Sequence, residues 1–361
     1  RDMAVRRAQL ESIPVVLGSA TPALESLANA RAGRYTLLRL KERAANAREP
    51  DFKLIDLRHQ PTREGFTDSL LKAMASTLKK GEQVLVFLNR RGYAPVLLCH
   101  DCGWHAQCRR CDARPTLHRN PTQLHCHHCG AEGPPPRTCP SCGSTDLRPV
   151  GLGTERVEDL LRAQFPSVPL FRIDRDSTRR KDALANLTNA IHGSEAAILV
   201  GTQMLAKGHD FPKLTLVGAL GADAALFAAD WRAPERLFAQ LMQVAGRAGR
   251  AELKGEVLIQ TEYPDHPLFA ALAAHDYPGF AASLLREREQ AGFPPYAFQA
   301  MLRAEAPEMA AAIAFLATAS ALPVVQEHGN VVLYDPVPMK LSRLANLERG
   351  QLLAESHSRP A

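Results

Sequence analysis

All eight cysteines of this 361-residue chain lie within residues 99–142, as four Cys-x-x-Cys pairs: Cys99/Cys102, Cys108/Cys111, Cys126/Cys129 and Cys139/Cys142. Each pair can place two thiolates on one tetrahedral Zn²⁺, and two pairs close a structural site. Four pairs therefore predict two zinc ions. One such pair would suit redox or iron–sulfur chemistry, but four within 44 residues point to zinc. A disulfide framework is not expected in a reducing compartment. Fourteen residues separate Cys111 from Cys126, one short of the usual zinc-ribbon spacing. That favours a nested pairing. Cys108, Cys111, Cys126 and Cys129 form an inner site; Cys99, Cys102, Cys139 and Cys142 form an outer clamp that draws the segment's ends together. Spacing alone leaves sequential and cross-braced pairings open.

Eight thiolates and two Zn²⁺ leave about −4 of charge, which Arg109, Arg110, Arg114, Arg119 and Arg137 are placed to offset. The segment has little apolar content, so metal must hold it, at roughly 10–16 kcal/mol per site by analogy with zinc-finger peptides. His100, His105, His118, His125, His127 and His128 read as surface groups, and Trp104 as a small local core.

Three other stretches carry chemistry: "VLGSATP" (16–22), "GTQMLAKGHDFP" (201–212) and "QVAGRAGR" (243–250). A phosphoryl group in transfer needs positive charge on its oxygens as the leaving bond breaks. The guanidinium groups of Arg247 and Arg250 supply it through a fixed fork of donors. Gly246 and Gly249 allow a sharp turn and close backbone approach. The octamer alone also suits a plain helix C-terminus with favourable cations.

The elements that must position these groups alternate between strand and helix. Short apolar runs at 84–88, 169–174, 196–202, 214–220 and 255–261 read as strands. Helical periodicity covers the stretch after Gly153, with Val157, Leu160, Leu161 and Phe165 on one face and Thr154 as N-cap, then 182–192 and 236–245. The alternation predicts an α/β, RecA-like parallel sheet with the zinc module as an insert. Functional groups in such a sheet gather at the strands' carboxyl ends. The domains expected are 1–49, the tail of a first lobe; 50–97 with 148–275, a second lobe; 98–147, the zinc insert; and 276–361, an α+β C-terminal domain. That last domain holds a helix at 307–322 and a strand at 329–338. Residues 13–17 are expected to be a strand with exposed edges, in a region that packs irregularly without a neighbour.

The formal charge of +6 and a pI near 8.9 suit a polyanionic partner and equally a mildly basic enzyme. No secretory signal and no apolar run of roughly 18 residues is present, so a cytoplasmic protein without a membrane span is expected.

GSATP, TQMLAKGHDFP and QVAGRAGR resemble motifs III, V and VI of superfamily 2 helicases. "LNRRGYAP" (88–95) followed by the cysteines, "GLGTERVEDLL", "FRIDRDST" and "REREQAGFPPYAFQAMLRAEA" resemble one family, that of primosomal protein N′, the replication-restart helicase PriA. The resemblance covers nearly the whole chain. It implies two lobes that clamp ATP and Mg²⁺ and walk 3′→5′ along single-stranded DNA. Arg247 and Arg250 would then be catalytic, with Gln243, Gly208 and Asp210 near the nucleotide. Gly18, Ser19, Ala20 and Thr21 would couple nucleotide to DNA. Arg90, Arg91, Thr202, Gln203 and Lys207 would contact DNA. The implied partners are forked and single-stranded DNA, the single-strand-binding protein and other primosome proteins, met by a monomer.

The departure from that family is that neither G-x-x-x-x-G-K-[ST] nor an Asp-Glu pair occurs. The chain is therefore expected to be a piece lacking most of the first lobe and the end of the last domain, unable to hydrolyse ATP alone. The competing readings are a non-catalytic zinc protein that binds DNA or protein on a decayed motor scaffold, and another superfamily 2 enzyme with an unrelated zinc insert.

Overall fold

The computed structural model describes residues 1–40, 49–88, 96–119, 122–150, 154–173, 183–201, 211–228, 230–249, 253–322 and 330–358. Its centre is a six-stranded, wholly parallel sheet in the order β1–β11–β10–β2–β9–β8. These strands are β1 (Asp51–Asp56), β2 (Gln83–Leu88), β8 (Leu170–Ile173), β9 (Ala197–Gly201), β10 (Leu214–Leu220) and β11 (Glu256–Thr261). Continuous apolar runs suit strands buried on both faces. Leu85, Phe87, Leu199 and Val217 enter one core, while Val84, Val86, Ile198 and Leu216 enter the other.

Helices α3 (Asp68–Lys79) and α4 (Thr154–Gln164) cover the second face through Leu70, Leu71, Met74, Val157 and Leu161. Thr67 caps α3: its hydroxyl accepts from Leu70 N at 3.2 Å and donates to buried Gln260 at 2.8 Å. The first face carries α5 (Ala183–Gly193), α7 (Ala233–Ala245), α8 (Pro267–Ala273) and α9 (Tyr277–Gln290). Leu237, Phe238, Leu241 and Val244 form the buried stripe of α7. Phe238 stacks on Phe280 at 4.8 Å between ring centroids.

The amino-terminal segment departs from expectation. Residues 13–20 form no strand; Ile13, Val15, Val16 and Leu17 are exposed, and no partner strand flanks them among the described residues. Helix α1 (Asp2–Glu11) precedes them, where no helix was foreseen. Helix α2 (Leu24–Arg31) is not irregular: Leu24 is fully buried in the motor-lobe core, with Leu27 and Ala28 packed against it. The other end shifts too. The sequence reading opens a new domain at 276, yet Tyr277, Phe280, Ala281, Leu284 and Leu285 of α9 lie in the sheet's core.

After α9 the core changes. Strands β12 (Phe298–Ala306), β13 (Val331–Leu333), β14 (Val337–Leu344) and β15 (Leu347–Ser356) make an antiparallel sheet in which β12 lies on one side of β15, and β13 and β14 on the other. Helix α10 (Met309–Ser320) packs on it through Ala312 and Leu316, both buried. The expected strand at 329–338 is thus two, β13 and the start of β14.

Between β2 and α4 the chain leaves the parallel-sheet lobe. Strands β3 (Val96–Cys99) and β7 (Leu147–Val150) run antiparallel, with Val96 opposite Val150 and Cys99 opposite Leu147. They form a two-stranded stem. Beyond it lie β4 (Thr116–Arg119), β5 (Thr122–His125) and the short β6 (Glu132–Gly133), giving the order β6–β5–β4–β3–β7. Among the described residues no helix is long and apolar enough to cross a membrane.

Candidate functional site

The stem and the β4–β5 hairpin carry four cysteine loops, and the structure gathers their sulfurs as two quartets. Cys99, Cys102, Cys139 and Cys142 form one, and Cys108, Cys111, Cys126 and Cys129 the other, each with ligand atoms mutually within 4.8 Å. Across the outer quartet, Cys99 Sγ lies 3.6 Å from Cys142 Sγ and Cys102 Sγ lies 3.6 Å from Cys139 Sγ. In the inner one, Cys108 Sγ and Cys129 Sγ are also 3.6 Å apart. A disulfide needs about 2.05 Å, so these are free thiols brought together. Sulfurs at the corners of a tetrahedron of about 2.3 Å Zn–S bonds would stand about 3.8 Å apart. The donor set fits zinc in type, number and spacing.

The thiols' proton affinities show what the crowding demands. Burial pushes Cys111 up to about 12, helped by its Cys129 and Cys126 neighbours. In Cys129 burial acts upward too, but hydrogen bonds from Cys111, the Ala131 amide and Cys108 bring it down to about 7. The outer quartet divides alike. Cys139 falls to about 7, because amides of Cys142 and Ser141 and the Cys102 thiol outweigh burial. Cys142 rises to about 12 against the downward pull of the Ser144 amide, through its Cys102, Cys99 and Cys139 neighbours and burial. Four thiolates this close are stable together only with a cation between them. Each quartet offers four protein ligands, the set of a structural zinc site rather than an open catalytic one; the inner one is largely buried, while Cys102 and Cys142 of the outer one are exposed. Trp104 is half-buried beside the outer quartet, its carbonyl accepting from Cys99 N at 2.7 Å.

Arg247 lies at the amino ends of the strands, not the carboxyl ends: Gly249 N donates to Leu214 O, the first residue of β10, at 2.9 Å. A helix that comes after a parallel strand runs back against it, so the end of α7 returns to that edge. Gly249 has φ of 72°, and a Cβ there would stand 2.1 Å from Gly255 N. The glycine requirement is thus real at Gly249 but not at Gly246, whose φ is −64° and whose added Cβ would make ordinary contacts from 3.4 Å. Gln243 is exposed one turn before Arg247. Arg250, Arg90, Arg91, Thr202, Gln203, Lys207, Gly208 and Asp210 lie outside the described residues.

Gly18, Ser19 and Ala20 are exposed in an extended stretch, with Thr21 half-buried at its end and Thr21 N bonded to Ser19 Oγ at 3.1 Å. The next few residues are pinned. Tyr277 donates its hydroxyl to Pro22 O, and burial pushes its phenol up. Leu24 N donates to Glu235 Oε1 at 3.1 Å. Glu25 lies 2.6 Å from Arg232 and 3.0 Å from Arg1, and these partners outweigh its burial to hold its carboxyl below the usual range. Buried Arg288 pairs with Glu235 at 2.7 Å. Arg232 and Arg288 stack on Trp231 at 4.4 and 4.3 Å, and Phe293 lies parallel to that ring at 5.9 Å. The sequence reading passed over this cluster, although Trp231 between two charged residues is the signal that could have marked it.

The parallel sheet is that of a RecA-like lobe, and residues 152–252 match the helicase conserved C-terminal domain. Residues 108–134 match the PriA DNA helicase Cys-rich region domain, and 289–361 the primosomal protein N C-terminal domain. The chain is 46% identical to the replication restart protein PriA of Haemophilus influenzae over 99% of its own length and 49% of that protein's. It is 44% identical to that of Bacillus subtilis over 86% of this chain and 39% of the other, and 38% identical to that of Synechocystis over 98% and 44%. The chain is thus similar to the PriA replication restart proteins over nearly its whole length. It spans about half the length of the curated relatives it matches.

Proposed function

We propose that this chain supplies the second motor lobe, the two-zinc module and C-terminal-domain residues of an ATP-dependent 3′→5′ DNA helicase. The whole protein would act on stalled or recombination-derived forks and begin primosome assembly in replication restart. The observation that carries the reading is two four-cysteine quartets on a β-stem grown from a helicase lobe.

In this reading zinc, held by the two quartets, supplies only cross-linking charge and folds the module. Arg247 and Arg250 place guanidinium groups on the nucleotide's phosphates, with Gln243, Gly208 and Asp210 beside it. Gly249 makes the arginine turn possible. Gly18, Ser19, Ala20 and Thr21 couple the nucleotide to DNA. Thr202, Gln203, Lys207, Arg90 and Arg91 grip the DNA backbone without regard to sequence, so binding weakens with salt. The 361 residues hold no Walker lysine, and the piece alone does not hydrolyse ATP. Single-strand-binding protein and primosome proteins are the proposed partners of a cytoplasmic monomer.

The decisive experiment is Arg247→Ala in the full-length protein. DNA-stimulated ATP hydrolysis falls on the order of 10³-fold, as for loss of an arginine finger, while zinc content and DNA binding persist. Undiminished hydrolysis would overturn the assignment. Changing Arg90 and Arg91 together to Ala lowers the salt slope of DNA binding by about two if both touch phosphates.

A further inference from the structure

Three of the four cysteine loops are built alike. In each, a glycine comes directly after the second cysteine with positive φ: Gly103 at 74°, Gly130 at 75° and Gly143 at 78°. Its N–H returns to the carbonyl of the first cysteine: Gly103 to Cys99 at 3.0 Å, Gly130 to Cys126 at 2.8 Å and Gly143 to Cys139 at 2.9 Å. In two of these loops the next amide lowers the proton affinity of the second sulfur, Ala131 for Cys129 and Ser144 for Cys142. Amides so placed spread the negative charge of a four-thiolate site and orient its ligands.

The Cys108/Cys111 loop is different. Asp112 stands where the others have glycine, and its φ is not positive. Its N–H points away from Cys108 and donates to Arg343 O at 3.2 Å. The amide of Ala345, in the turn between β14 and β15, instead faces the Cys111 side and pulls its thiol's proton affinity down against burial. That turn has two left-handed residues in succession, Ala345 at 52° and Asn346 at 71°, as a tight hairpin needs. It is gripped from the loop side. Asp112 Oδ2 accepts from Ser342 Oγ at 2.6 Å and from Arg343 N at 2.7 Å, and Arg110 O accepts from Asn346 N at 2.9 Å. Leu344 packs against the inner cysteines.

We infer that the β14–β15 turn is a structural part of the inner metal site. The loop's own Arg110 N–H goes to Cys108 Sγ at 3.4 Å, and the turn closes over the Cys111 side through Asp112 and Arg110 O, so metal held there also fixes the C-terminal domain against the cysteine-rich module. Asp112 is the positioning residue: standing in place of the loop's own glycine, it provides the carboxylate that seats the turn. The inference rests on the zinc reading of the quartets.

The test uses the zinc-loaded, full-length protein. Elemental analysis first gives two zinc per chain; fewer would sink the zinc reading itself, whatever the turn does. Transfer of zinc to a colour-forming chelator then gives two release steps. Asp112→Ala and Ala345→Pro, which removes the N–H, each speed one step roughly 10-fold and leave the other unchanged. Ala345→Gly, which keeps the N–H, releases metal at the parent rate. Should Ala345→Pro fail to fold, Ser342→Ala combined with Asp112→Ala reads the same contact. Hydrogen exchange supplies a second readout: Cys126→Ser exposes the amides of Arg343, Ala345 and Asn346, whereas Cys142→Ser does not. Two zinc ions with unchanged release from both Asp112→Ala and Ala345→Pro would overturn the inference and spare the zinc reading. So would continued protection of those three amides in Cys126→Ser.

Discussion

The motor lobe and the cysteine-rich module share one chain but solve stability in opposite ways. In the lobe, Val84, Leu85, Val86 and Phe87 are all fully buried, and each face of the sheet has its own apolar cluster. In the module the buried cluster is Cys108, Cys111 and Cys126, with Ala113, Cys129, Ala131 and Leu344 packed against it. The lobe is held by many weak, non-directional contacts that tolerate single losses. The module concentrates its stability in a few directional bonds, and loses it all at once when they go.

Chelation is the harshest test of that contrast. Removing metal from the full-length protein costs the module roughly 10–16 kcal/mol per site. Amides such as Cys126 N, bonded to Ala131 O, lose exchange protection, while those of β2, β9 and β10 keep theirs. Simultaneous collapse of the lobe would erase the distinction. Phe238→Ala tests the other side. It empties a stacked core position and destabilises the lobe by about 3–5 kcal/mol in denaturant unfolding, with zinc content unchanged.

Gly249→Ala is smaller in energy, about 1–3 kcal/mol, because one Cβ must displace the Gly255 backbone. Its larger effect is on ATP hydrolysis, since the arginine turn moves. His266 gives the smallest effect. Its Nδ1 caps α8 by accepting from Leu268 N at 3.2 Å, and burial lowers its proton affinity below the ordinary 6.5. The neutral ring is therefore the folded form. Its contribution is complete above pH 6.5 and lost as pH falls below that through its lowered value, by about 1 kcal/mol at most. His266→Asn keeps an acceptor and flattens that slope in thermal melts.

Much of this architecture was legible because the signals were periodic or repeated. The apolar run "LTLVGAL" gave β10 with the bounds observed, Leu214–Leu220, and four Cys-x-x-Cys pairs gave the two quartets. What escaped depended on contacts between distant segments. Apolar residues 13–17 looked like a strand, but a strand needs a neighbour, and none lies beside them among the described residues. Helix α9 looked like the start of a new domain because the strand–helix alternation changes there; its regular stripe of Tyr277, Phe280, Ala281, Leu284 and Leu285 is buried by Phe238 and the sheet's core. Gly246 and Gly249 read alike in sequence, and only the approach of Gly255 separates them. The aspartate after Cys111 was visible as a break in a glycine pattern, but its meaning lay more than two hundred residues away, at Ser342 and Arg343.

The stem carries a last consequence. Val96 and Val150 sit opposite one another in an antiparallel pair, where partner Cα atoms stand only about 4.5–5.5 Å apart. To the motor, the whole excursion is a single doorway no wider than a hairpin. Its contents can change length without re-threading the lobe behind it, so long as Asp112 and Arg110 still meet the β14–β15 turn.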